Sequence, residues 1–257
     1  MTLQWVRVND YEAMSRDGAA RIVAAIEKGL GERQSVLLGL ATGNTMISLY
    51  EKMADTLNRR AIDLSRLHTF NLDEYVGNDG HWVPIDHPLS YHAYMDKQLF
   101  GRLDPKLRMD RDHIHFPHPV NSTEFDDRIR DLGGLDFQLL GIGFNGHIAF
   151  NEPMSETEIS AEAFAALPTR VIDLTELTIA TNAELTADGD RTKVPQRAVT
   201  MGMQSILAAR EILLLACFPQ QREPLNQIRR GGITPQLPAS YLLGHPHATI
   251  LSSGPAS

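Results

Sequence analysis

The sequence predicts an α/β fold: an open, mostly parallel sheet with helices on both faces. Three observations lead there. Short apolar runs of buried-strand type recur at residues 35–40, 67–72, 137–140 and 211–216. Stretches of helical spacing alternate with them, which is the pattern of βαβ units. No linker, repeat or low-complexity segment divides the chain, so a single domain over 1–257 is expected.

The elements follow in order. Residues 4–8 alternate weakly and make a first strand. Residues 11–30 have helical spacing through Met14, Ile22, Ile26 and Leu30, and stop near Gly29 and Gly31. The strand at 35–40 leads into Ala41-Thr42-Gly43-Asn44-Thr45 and then a helix carrying Met46, Leu49, Tyr50 and Met53. Backbone N–H groups at such a helix start attract anions. On this segment alone an ordinary capped helix, with Thr45 or Asn44 as N-cap, is preferred. The strand at 67–72 runs into Asp73-Glu74-Tyr75-Val76-Gly77, two carboxylates read as a turn or as the place of a catalytic base. Residues 78–87 read as a loop, and 90–100 as an aromatic-rich helix capped by Ser90. His113, His115 and His118 cluster in sequence. The alternate pair suits one strand face, but no Cys or acidic ligand stands near, so a solvated strand edge is preferred to a metal site. A charged helix covers 121–132. Beyond the strand at 137–140, helices are expected at 156–166, 175–183 and 220–230. Strands are expected at 169–174, 211–216 and 248–252, and residues 198–210 mix a short strand with a helix. The whole reads as a Rossmann-like arrangement.

The totals exclude several classes of function. Of 257 residues, 42% are hydrophobic and 22% charged, as in an ordinary globular protein. The net charge is −8 with no basic block, which argues against nucleic acid. The single Cys217 sits in an apolar run and reads as a core residue of a reducing compartment. The first ten residues hold no apolar signal core, and the longest apolar run, 212–218, is too short to span a membrane. A cytoplasmic protein with no membrane partner is expected.

The stretch 136–153, DFQLLGIGFNGHIAFNEP, carries the most chemistry. A buried strand empties into a turn with Gly141, Gly143 and Gly146, then His147 and Glu152. Open α/β sheets keep their ligands at such places. Gly141 to Gly146 also satisfies G-x-G-x-x-G. A dinucleotide site would need a helix at once, and HIAFNEP with its Pro153 is a poor first turn, so that reading is set aside. If the sheet is parallel, the turns at 41–45, 73–77 and 141–152 converge on one rim. They then supply an anion cradle, a carboxylate base, an imidazole and a second carboxylate. That set suits moving protons on a small polyol. No Ser nucleophile elbow and no redox Cys pair is present.

The segments TFNLDEYVG (69–77), HPLSYHAYM (87–95), LLGIGFNGHIAFNEP (139–153), VPQRAVTMG (194–202) and LPASYLLGH (237–245) resemble the glucosamine-6-phosphate deaminase family, which is related to the 6-phosphogluconolactonases. The likeness runs from LATGNT (40–45) to the last strand. The continuation after Gly-His sides with the deaminases. The resemblance implies aldose–ketose isomerisation coupled to deamination of an amino-sugar phosphate, giving a ketose phosphate and ammonia without metal or organic cofactor. Asp73 would take the proton from carbon 2, His147 would serve ring opening, Glu152 would orient and charge-tune His147, and Asn145 would complete the relay. Thr42, Gly43, Asn44 and Thr45 would hold the phosphate. Glu74, Gly143, Gly146 and Arg222 are counted with the substrate-binding residues. Family members assemble differently, so a homo-oligomer is compatible.

Three departures qualify the resemblance. Asn145 stands where the family usually has Asp. Glu184 and Gln221 stand where it holds the phosphate with Arg and Lys; Arg222, Arg191, Lys193 and Arg197 are substitutes to consider. Arg170 matches an effector-site Arg, but Ile172 replaces the Lys two places on, so no activation by N-acetylglucosamine 6-phosphate is expected. A non-phosphorylated or differently substituted sugar, a lactone hydrolase and a sugar-binding regulator are the alternatives.

Overall fold

The apolar runs become the strands of one parallel sheet. In the computed structural model, which describes residues 3–254, β1 (Gln4–Val8), α1 (Tyr11–Glu32), β2 (Val36–Leu40), α2 (Ile47–Arg60), β3 (Leu67–Asn71) and β4 (Asp73–Val76) come first. Then follow α3 (Tyr91–Gln98), β5 (Ile114–His115), α4 (Ser122–Asp131), β6 (Phe137–Leu140), α5 (Ala161–Ala165) and β7 (Arg170–Asp173). The chain closes with α6 (Glu176–Thr186), β8 (Arg197–Thr200), α7 (Met203–Leu207), β9 (Ile212–Ala216), α8 (Arg222–Arg230) and β10 (Ala248–Ser253). Residues 1–2 and 255–257 of the expected domain lie outside the described residues.

Seven strands pair in the order β1-β10-β9-β6-β2-β3-β5, and every pair is parallel. The central strands β2, β6 and β9 are buried along their whole length, as continuous apolar runs in a sheet covered by helices must be. From β2 the chain builds outward through β3 and β5, then returns to the other side of β2 with β6. The order therefore reverses between β2 and β6, and the turns leaving those two strands part there. That is where an open α/β sheet opens a crevice.

Local chemistry departs from the sequence expectations at identifiable points. Helix α1 runs through both glycines to Glu32. Gly29 lies against β2, where a Cβ would stand 2.7 Å from Val36 Cγ2, so it is a packing residue rather than a stop. The expected turn at 73–77 is a strand, β4, and the expected single sheet is two. β4, β8 and β7 form a small antiparallel sheet of three strands. The helix expected at 156–166 shrinks to α5. Ser155, Thr157 and Glu158 bond to one another and to Ser155 N–H, making turns, and Ser160 then caps the five-residue helix. Neither Asn44 nor Thr45 caps α2 through its side chain; a short 3-10 turn, Asn44–Met46, enters it instead. His113 lies in a 3-10 turn and only His115 in β5, so they do not share a strand face. Both group on His68: its Nδ1 is 3.2 Å from His115 Nε2, and its ring stacks on His113 at 3.7 Å. Among the described residues no cluster of His, Cys, Asp or Glu has the arrangement of a metal site.

The small sheet staples the loop after β6. Thr200 Oγ1 accepts the Phe150 N–H at 3.0 Å, and the Asn151 amide donates to Met201 O at 2.9 Å. Arg170 donates to Asn151 Oδ1 from β7.

Candidate active site

The turns leaving β2, β3 and β6 open on one cavity of about 250 Å³. Thr42, Gly43, Asn44 and Thr45 line it from the first turn, Asp73 from the second, and Gly143, Asn145 and His147 from the third. The parallel sheet brings these side chains to the same rim, across gaps of about 70 residues of sequence or less.

Asp73 is the first residue of β4 and only 4% exposed. Burial, and then the neighbouring Glu74 carboxylate, push its proton affinity well above the usual carboxylate range. A carboxylate made basic in this way is suited to taking a proton from carbon. The tyrosine wall beside it, Tyr91 and Tyr75, is likewise pushed up by burial.

The loop that carries His147 is shaped by small residues. A Cβ on Gly143 would fall 2.2 Å from His147 Cε1, so only glycine lets the ring lie over the chain. Ala149 adopts φ 52°, a left-handed conformation that costs a non-glycine residue about 1 kcal/mol or more and that the staples to β8 hold in place. His147 N–H donates to Asn145 Oδ1 at 3.2 Å, and Asn145 Nδ2 donates to Glu152 Oε2 at 2.8 Å. Glu152 Oε2 lies 3.6 Å from His147 Nδ1, an ion-pair distance rather than a hydrogen bond. Burial raises the Glu152 carboxyl, but His147, Thr178 and Asn145 outweigh it and hold the group below its ordinary value. A charged carboxylate thus backs the imidazole without lining the cavity itself.

Three residues counted with the substrate contacts stand elsewhere. Glu74 projects from the other face of β4, as alternate strand residues must. Its Oε1 accepts Tyr75 and Tyr91 N–H, its Oε2 accepts His92 N–H and Ser90 Oγ–H, and His92 Nδ1 is 2.7 Å away. It caps α3 and is fully buried. Gly146 turns the chain at φ 87° beneath Leu237 and does not line the cavity. Arg222 begins α8 on the exposed surface, outside the lining. Gln221 does line it, with both ends of its amide engaged: Oε1 accepts Cys217 and Phe218 N–H, and Nε2 donates to Ile142 O. No helix follows the glycines at 141–146; turns and an Ile148–Asn151 bridge take its place, so the dinucleotide fingerprint lacks its helix.

Sequence reasoning missed one wall. Helix α6 lines the cavity with Leu177, Thr178, Thr181, Asn182, Leu185 and Thr186, a stripe of helical spacing. Tyr91 and Tyr94 of α3 were visible as an i, i+3 pair on one helix face.

Residues 9–170 match the family described as glucosamine-6-phosphate isomerases/6-phosphogluconolactonase. The chain belongs to this family. A glucosamine-6-phosphate deaminase of Rhodopirellula baltica is 41% identical over 250 residues, covering 95% of this chain and 90% of that protein. Glucosamine-6-phosphate deaminase 2 of Bacillus subtilis is 36% identical, covering 94% of this chain and 91% of that one. Among solved structures, a monomeric glucosamine-6-phosphate deaminase superposes with a TM-score of 0.83 at 31% identity, covering 98% and 97% of the two chains. A 6-phosphogluconolactonase of Thermotoga maritima shares the fold with a TM-score of 0.70 at 22% identity. In this family member the glycine-rich loop and the Asp-Glu strand thus meet at the sheet's reversal point. No described helix is long and apolar enough to cross a membrane.

Proposed function

We propose that the chain is an enzyme that deaminates and isomerises an amino-sugar phosphate of the glucosamine 6-phosphate type, giving a ketose phosphate and ammonia. One observation carries this reading: Asp73 and His147 line the same cavity, with Glu152 held behind the imidazole.

His147 passes a proton to or from the ring oxygen, which opens the pyranose. Asp73 removes the proton from carbon 2 of the open chain. The enolamine is reprotonated at carbon 1 to give the ketose imine, and water releases ammonia. Glu152 stabilises the positive imidazole while the proton is held there. Asn145 fixes the spacing of Glu152 and His147 through its two side-chain bonds. Thr42 to Thr45 receive the phosphate end at the start of the 3-10 turn before α2. A cytoplasmic location goes with this substrate, because a phosphorylated sugar does not cross a bilayer unaided.

The test is ammonia release from glucosamine 6-phosphate with a ketose phosphate as co-product. Hydrolysis of a sugar lactone without ammonia release would reject the reading.

A further inference from the structure

Glu152 has little backbone structure to hold it. Residues 152–155 form no regular element, and a free Glu side chain keeps up to about 2 kcal/mol of rotamer entropy that ordering must offset. Its carboxylate is therefore placed by its side-chain bonds. One comes from Asn145, a member of the same loop. The other comes from outside it: Thr178 of α6 donates its hydroxyl to Glu152 Oε1. Each oxygen thus has its own neutral donor, and Oε2 is the one that faces His147.

Hydrogen-bond accounting fixes the direction of the second contact. Thr175 caps α6 by accepting Thr178 N–H at 3.2 Å, and its own hydroxyl hydrogen goes to Thr178 Oγ1 at 3.1 Å. A threonine hydroxyl has one hydrogen and two lone pairs, and a carboxylate only accepts. Thr178, having accepted from Thr175, spends its hydrogen on Glu152. The chain runs from Thr175 to Thr178 to Glu152, and each bond polarises the next. Thr178 is the third residue of α6, where a capping box would place Glu or Gln to reach back to the cap. Its hydroxyl reaches across to Glu152 instead. The contact is shielded from water, because Thr178 is only 4% exposed. One turn on, Asn182 donates to Tyr75 Oη at 2.8 Å, so α6 is tied down beside Thr178. On the far side of the carboxylate, His147 Nδ1 is buried and makes no hydrogen bond; Glu152 Oε2, at 3.6 Å, is the acceptor it faces.

We infer that Thr178 is a positioning residue for the proton relay: its hydroxyl anchors Glu152 Oε1 to α6 and so leaves Oε2 aimed at His147 Nδ1. This inference rests on the deaminase/isomerase reading. Thr178 acts through Glu152 and not on the sugar. While His147 is positive both its ring nitrogens carry hydrogen, and Nδ1–H needs an acceptor already in place. The same hydroxyl favours the ionised carboxylate, against the burial that opposes it. His147 is the titratable group acting on Glu152; Thr178 and Asn145 are neutral donors.

The experiment compares the full chain with Thr178→Val, Thr178→Ala and Thr178→Ser. The carboxyl titration of Glu152 is followed by carbon NMR, with Glu152→Gln identifying its signal. In parallel, kcat and KM are measured for ammonia release from glucosamine 6-phosphate. The variants without the hydroxyl should titrate Glu152 at higher pH than the wild type, because the ionised carboxylate has lost a donor. Their kcat should fall about tenfold or more with KM within about threefold. The serine variant keeps the hydroxyl and should restore both. Valine puts a methyl in its place and alanine removes atoms, so a folding defect in one leaves the other decisive. A Glu152 titration in T178V and T178A that overlays the wild type overturns the inference. So does a serine variant that behaves like alanine, or a loss confined to KM. The titration needs no substrate, so failure of the inference and failure of the reading are told apart. Ammonia release by the wild type with an unmoved titration leaves the deaminase reading standing and removes only this proposal. A moved titration in a chain that releases no ammonia removes the reading and keeps the Thr178–Glu152 anchor.

Discussion

Asn145 donates its side-chain amide to Glu152 across 2.8 Å, while Glu152 stands 3.6 Å from His147 Nδ1. The neutral amide clamps the carboxylate without adding charge, so Glu152 is the one fixed negative group behind the imidazole in this loop. Replacing Asn145 with Asp adds a second negative charge beside it. A second carboxylate beside the imidazole strengthens the attraction that its protonated form meets, so the pH–rate profile of N145D should be displaced toward higher pH relative to the wild type. A profile of N145D that overlays the wild type would show that Asn145 does not set the electrostatics of His147.

Glu74 touches no part of the cavity yet acts on it twice. It caps α3, which carries Tyr91 and Tyr94, and its charge helps raise Asp73. Glu74→Gln should lower the pKa of Asp73 and move the acidic limb of kcat/KM to lower pH. The lost carboxylate contacts should destabilise the fold by about 1–3 kcal/mol, read from the denaturant midpoint. A stability loss with an unmoved limb would confine Glu74 to capping.

The histidine stack on β3 and β5 predicts acid sensitivity. Burial, then neighbouring positive groups that include Arg128, lower both His68 and His115 to about 4. In the unfolded chain each ring binds a proton below about pH 6.5. The folded chain resists protonation until near pH 4, so falling pH favours the unfolded state through that window. Stability should therefore drop between about pH 6.5 and 4. His115→Phe, whose ring can stack on Phe70 as His115 does at 4.5 Å, should flatten the slope. An unchanged slope in urea titrations across that range would show that His115 is not a source of it.

The parallel sheet was legible in the sequence because its strands are continuous apolar runs, and β2, β6 and β9 could not be anything exposed. The meeting of Asp73 and His147 followed from it, since both lie just past the carboxyl ends of such runs. The small sheet was not legible. β4 is four residues long, begins with two carboxylates, and finds its partner β8 only in the fold. Without β4 as a strand, the residue pattern alone did not separate Asp73 from Glu74; the family resemblance gave Asp73 the chemistry, and alternation along β4 sends it into the cavity and Glu74 under α3. Leu177 falls within the helix expected at 175–183 and Leu185 beyond its expected end; their exposure at the cavity appears only once α6 is placed and runs on to Thr186. Arg222 and Gln221 are neighbours in sequence, but the start of α8 turns one outward and buries the other.

The central claim is that Asp73 carries the carbon-2 proton. Its most direct measurement is the exchange of that hydrogen of glucosamine 6-phosphate with deuterated solvent, followed by NMR in the wild type and in Asp73→Asn. The account predicts exchange in the wild type and a loss of about 10²-fold or more in the variant, with sugar binding retained. Exchange in D73N at the wild-type rate would contradict it.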